Sequence, residues 1–160
     1  MKYILAVCPN VMWPTNRRVR TVTDPIEVVE TFCGLMQERD PALLRPYLTD
    51  DAVYQNVGTP ATVGVDAITT NLAQQFAAFP DSYAYELINI AASGTAVLTE
   101  RLDMIKTPAG DVVGVPVMGT FVVHEGKIAR WTDYWDTTLP RKLMTGTDVT
   151  DLVPSDYLAV

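Results

Sequence analysis

The second half of the chain restricts the fold most, because four strand-length segments follow one another there with only short turns between them. Tyr83 to Ala91, Thr95 to Lys106, Val112 to His124 and Lys127 to Trp135 are rich in β-branched and aromatic residues. Ser93-Gly94, Ala109-Gly110-Asp111 and Glu125-Gly126 separate them, and turns this short join antiparallel neighbours. A meander of long strands is expected from Tyr83 onward.

The first half has helical texture. Residues 1–23 show no sustained period and read as an arm that packs on the domain or on a second subunit. Asp24-Pro25-Ile26-Glu27 supplies an N-cap, a proline at the first helical position and an early acid, which announces a helix. Ile26, Val29, Phe32, Cys33 and Met36 carry its apolar stripe to about Glu38. Asp40-Pro41 repeats the signal for a short helix through Leu43, Leu44 and Tyr47. Asp50 to Val57 reads as a strand, and Gly58, Pro60 and Gly64 mark a loop. A third helix, with Ile68, Leu72, Ala73 and Phe76 at helical intervals, spans Val65 to Phe79 and ends at Pro80. Helices followed by a strand meander predict an α+β fold, a curved antiparallel sheet with helices packed on its concave face and a cone-shaped pocket between them. The 160 residues are expected to form a single domain: an arm over 1–23, a core over 24–136 and a tail over 137–160.

Charge narrows the choice of partners. A formal net charge of −7 repels phosphate backbones and anionic lipid, so no nucleic acid partner is expected. Arg17, Arg18 and Arg20 read as a solvated or partner-pairing segment. Met1 to Val7 makes a poor signal peptide, and no run approaches the roughly 18 apolar residues a membrane span needs. A cytoplasmic protein without a membrane partner is expected. An open sheet in so small a domain leaves edges and an outer face that a second subunit commonly covers, so a homodimer is expected. Cys8 and Cys33 show no paired spacing, and His124, the single histidine, falls in a hairpin turn where it should be exposed. With no phosphate loop, no His or Cys pair at metal spacing and no Gly-x-Ser-x-Gly elbow, neither cofactor nor metal is expected.

The residues that could carry chemistry sit on strands, where positions two apart share a face. In Trp131-Thr132-Asp133-Tyr134-Trp135 that rule puts Asp133 on the face of two tryptophans, a desolvated position that demands a partner or a proton. In Thr99-Glu100-Arg101-Leu102-Asp103 it puts Arg101 beside Asp103. Alone, that pair reads as a solvated outer face. Arg101 becomes the best candidate cation for Asp133 if the two strands lie close. Tyr54 and Asn56 place a hydroxyl and an amide on one face of an earlier strand.

Three segments together carry a resemblance. Asp51-Ala-Val-Tyr-Gln-Asn56, Val97-Leu-Thr-Glu-Arg-Leu-Asp103 and Arg130-Trp-Thr-Asp-Tyr-Trp-Asp136 are similar to the signature strands of the limonene-epoxide hydrolase family, and the likeness runs from about Asp24 to Asp136. It implies that Asp133 activates a water held by Tyr54 and Asn56, that Asp103 protonates the epoxide oxygen, and that Arg101 bridges the two acids. It also implies an apolar pocket, with Met36, Leu72, Phe76, Val115, Val117 and Trp135 as candidate substrate contacts, although each serves equally well in a core. The expected partners are a small hydrophobic epoxide and water, giving a vicinal diol without a covalent intermediate.

The chemistry fits these groups, because opening a strained ether requires one protonated carboxyl beside an ionised one. Two acids around one arginine can provide both states. The rival on the same cone is a polyketide cyclase or ketosteroid isomerase-like enzyme, for which an arginine between two acids is less apt. The rival of another class is a hydrophobic-ligand binding module.

Overall fold

The computed structural model describes residues 24–80 and 84–157, so the arm over 1–23, with Cys8 and its three arginines, lies outside the described residues. Asp24 opens α1 (Pro25–Leu35) by accepting the Ile26 N–H at 3.0 Å, and Asp40 opens α2 (Pro41–Leu44) by accepting that of Ala42 at 2.9 Å. Both proline-headed starts lie where the sequence puts them. The first helix ends earlier than its apolar stripe suggests. Met36–Glu38 tighten into a 3-10 turn, and Arg39 closes it in the left-handed region at φ 55°.

β1 (Leu48–Asn56) follows, then a short strand β2 (Thr62–Val63) inside the segment expected to be loop. α3 (Val65–Ala78) stops at its cap Phe79, one residue before Pro80. The meander is β3 (Ala84–Ser93), β4 (Ala96–Lys106), β5 (Val112–His124) and β6 (Lys127–Tyr134). At the last turn Glu125 and Gly126 both take positive φ, 51° and 79°, as a two-residue hairpin with right-handed strand twist requires. His124 is exposed beside it.

The strand order is β2-β1-β6-β5-β4-β3, and here the expectation of an antiparallel sheet is corrected. β1 runs parallel to β6, with Tyr54 opposite Trp131 and Asn56 opposite Asp133. The chain between them includes α3 and the other three meander strands, so no hairpin dictates their relative direction and a parallel pairing is free to form. Register shifts leave an extra residue at Ile88 on β3 and at Ala129 on β6, and another falls between Leu48 and Val53 on β1; such irregularities bend the open sheet.

Helix α1 packs on β3 to β6 and α3 on β1 and β2, so both cover the same face. Between them lies the main core of Phe32, Met36, Leu72, Phe76, Phe121 and Trp131. A second cluster forms under an additional helix, α4 (Leu139–Met144), in the tail that the sequence left unassigned. Leu139 and Leu143, four apart on its buried side, pack with Ile105, Val115, Val117 and Val149. No helix among the described residues is long and apolar enough to cross a membrane.

Candidate active site

Alternation along three strands aims the site residues at the helices. On this face β4 buries Val97, Thr99, Arg101 and Ile105, β6 buries Trp131 and Asp133, and β1 buries Ala52 and Tyr54; Leu102, on the opposite face of β4, is buried as well. The solvated reading of the Arg101 strand face therefore fails, since Arg101 is 0% exposed and Leu98 on the opposite face is 44% exposed.

One guanidinium organises the site. Arg101 Nη1 and Nη2 donate to Asp133 Oδ1 and Oδ2 at 3.0 and 2.8 Å, a bidentate pair, while Nε donates to Asp103 Oδ1 at 2.8 Å. The ring of Tyr85 lies under the cation, 4.3 Å from its central carbon. Asp133 takes a further hydrogen bond at Oδ1 from Trp131 Nε1, at 2.8 Å. The flanking tryptophan thus acts as a polar partner as well as apolar cover. Strand alternation marked it as a neighbour of Asp133, but only the rotamer reveals the bond.

The two acids differ in surroundings. Asp133 is 2% exposed and fully engaged by Arg101 and Trp131. Asp103 keeps 18% of its side chain exposed, on a cavity, and has one partner there. Burial raises its carboxyl to about 7, against the opposing pull of the Arg101 cation and with help from the Asp133 charge. Arg101 itself is held well above its ordinary value: burial works against the charge, but the carboxylates of Asp103 and Asp133 outweigh it.

The cavity measures about 250 Å³. Tyr54, Asn56, Gln75 and Asp103 give it a polar side, and Phe79, Ile105, Val115 and Trp135 an apolar one. Trp135 lies just past the end of β6 and donates from Nε1 to Asn56 Oδ1 at 2.7 Å. Asn56 Nδ2 in turn donates to the Tyr54 hydroxyl at 2.9 Å, and Gln75 also hydrogen-bonds Tyr54. Burial, and then the Asp133 charge, push that phenol up to about 12, so it retains its proton as a donor.

Of the five polar candidates, Tyr54, Asn56 and Asp103 line this cavity, whereas Arg101 and Asp133 are not among its lining residues and join it through the Arg101–Asp103 bond and the pairing of Asn56 with Asp133 across β1 and β6. Of the six apolar candidates, Val115 and Trp135 line this cavity, whereas Met36, Leu72 and Phe76 belong to the main core and Val117 to the second cluster. Gln75, Phe79 and Ile105 are wall residues that the sequence did not single out. Gln75 could have been found only from its place four residues before Phe79 at the end of α3, which puts both on one side of the helix.

The profile of the limonene-1,2-epoxide hydrolase catalytic domain matches residues 23–144. Epoxide hydrolase EphG of Mycobacterium tuberculosis is 36% identical over 109 residues, covering 68% of this chain and 70% of its own. The solved structure of an M. tuberculosis LEH-like epoxide hydrolase superposes with a TM-score of 0.63 at 32% identity, over 84% of this chain and 98% of that one. A SnoaL-like protein from Jannaschia sp. has a TM-score of 0.68 over 81% and 97% of the two chains, but at 16% identity this likeness extends to the fold alone.

Proposed function

The chain belongs to the limonene-1,2-epoxide hydrolase family and is an epoxide hydrolase, and from that premise we propose that it adds water to a small hydrophobic epoxide in one step, without a covalent intermediate. The observation that carries this reading is the shared guanidinium, which holds one carboxylate in a closed bidentate pair and leaves the other, proton-bearing up to about pH 7, facing the cavity.

In this reading the epoxide oxygen docks against Asp103 with its carbon skeleton among Phe79, Ile105, Val115 and Trp135. A water held by Tyr54 and Asn56 attacks one ring carbon and yields a proton to Asp133. The carbon–oxygen bond breaks as Asp103 delivers its proton to the departing oxygen. One proton enters the enzyme at Asp133 and one leaves at Asp103, and exchange with solvent resets both. Arg101 stays protonated throughout and balances whichever acid carries the charge.

A cavity of about 250 Å³ fits a compact monocyclic or aryl epoxide. The acid at its wall disfavours anionic substrates. We read the working form as a cytoplasmic homodimer. Incubation with a panel of cyclic and aryl epoxides, followed by chiral analysis of the diols, tests the function. Vicinal diol from neutral compact epoxides is the expected result, and no diol from any of them would overturn it.

A further inference from the structure

β5 lies between β4 and β6, so the Arg101 head can reach Asp133 only by crossing over β5. The register fixes the crossing point at Gly119, which pairs with Thr99 on β4 and with Asp133 on β6. A Cβ at position 119 would overlap Arg101 Nη1, lie 2.6 Å from Thr99 Oγ1 and press on Phe121 at 3.0 Å. Gly119 is absent from the residues with positive φ, so its backbone conformation would accept any L residue. What requires glycine here is space. A glycine inside a strand weakens it, and this one does so at the point where the guanidinium passes.

We infer that Gly119 is a positioning residue of the active site: its missing side chain is the channel through which Arg101 joins the acid and the base. The atom that a methyl group would meet first, Nη1, is the one that bonds Asp133 Oδ1 at 3.0 Å. Arg101 is flexible in principle but wholly buried, with Tyr85 beneath it and Asp103 at Nε. Its head can yield only by leaving Asp133. The inference rests on the proposed role of Arg101 and adds to it a residue that touches neither substrate nor cavity wall.

The test compares Gly119→Ala, Arg101→Gln, Thr99→Ala/Gly119→Ala and Arg101→Gln/Gly119→Ala. Gly119→Ala is expected to lower kcat by ~10-fold or more with KM within about twofold, because the cavity wall is unchanged. Thr99→Ala/Gly119→Ala removes the hydroxyl overlap but keeps that with Arg101, so kcat is expected to stay low. Recovery in that double variant would overturn the inference by assigning the damage to Thr99. If Gly119→Ala does not fold, melting of the Arg101→Gln pair decides: with the guanidinium gone, the alanine should be tolerated, and an alanine that still abolishes folding there would overturn the inference. Wild-type kcat in folded Gly119→Ala, while Arg101→Gln is impaired, also overturns it and leaves the catalytic reading intact. Full activity in Arg101→Gln would instead remove the catalytic reading on which the inference stands.

Discussion

Asp103 and Asp133 bind different edges of the same guanidinium, Asp103 at Nε and Asp133 at both Nη nitrogens. The division leaves Asp103 with one partner and a face on the cavity, and Asp133 with three hydrogen bonds and almost no exposure. In the proposed mechanism Asp103 is the acid and Asp133 the base, and that assignment leads to definite outcomes.

Asp103→Asn and Asp133→Asn should each lower kcat by ~10²-fold or more with the fold retained, since each removes one half of the proton transfer. Asp136→Asn should be far milder. Its exposed carboxylate accepts from the Thr138 N–H and hydroxyl and faces Lys142, as a cap on the turn into α4. Steady-state kinetics on one epoxide, with circular dichroism of each variant, provides the comparison. A larger loss at Asp136 would reverse the assignment.

If Asp103 is the proton donor, its carboxyl, raised to about 7 by burial, should set the alkaline side of activity. Turnover should fall tenfold per pH unit well above that value, as the proton donor is lost. Stability follows with the same sign. Between about pH 4 and pH 7 the folded protein retains a proton that the unfolded chain has released, so this group's contribution is complete below that window and is lost as pH rises through it. Asp103→Asn should therefore gain melting temperature relative to wild type on going from about pH 5 to about pH 8. A constant difference between the two proteins would contradict the raised value.

Arg101→Lys should cost at least ~10-fold in kcat, because an ammonium cannot serve three carboxylate oxygens in one plane. Melting should show a loss of about 3–5 kcal/mol if a buried carboxylate is left unpaired. Wild-type kinetics in this variant would mean that charge alone suffices.

Direct attack by water is distinguishable from attack by a carboxylate. With enzyme in excess over epoxide in oxygen-18 water, the diol of the first turnover should carry the label. An ester route would place an enzyme oxygen there and label the carboxylate only afterwards. Unlabelled first-turnover diol would remove the proposed mechanism even if Asp133 remained essential.

The outer sheet face presents Leu98, Met118 and Tyr134, each about half exposed, with Met118 and Tyr134 paired across β5 and β6. Such a patch suits burial against a second copy. Light scattering at micromolar concentration should return twice the 17.6 kDa chain mass. A monomer mass would refute the dimer.

Local structure is written directly in the order of the residues. Proline-headed helix starts and glycine turns leave the backbone few alternatives, so α1, α2 and the β3–β6 meander lie close to where they are read. Period-two alternation also placed Arg101 with Asp103, and Trp131 with Asp133, before any tertiary contact was known. Alternation cannot say which face of a strand is buried, and the Arg101 face was ambiguous until α1 covered it. Nor does any turn bind β1 to β6, so the parallel pairing that brings Tyr54 and Asn56 to Asp133 is a product of tertiary packing. The same is true of α4 and of the cavity wall at Gln75, Phe79 and Ile105, which come from distant elements. The Arg101–Asp133 bond spans 32 residues and a whole intervening strand, and it exists because Gly119 leaves room for it. Local pattern encodes which residues share a face, whereas only three-dimensional packing decides which faces meet.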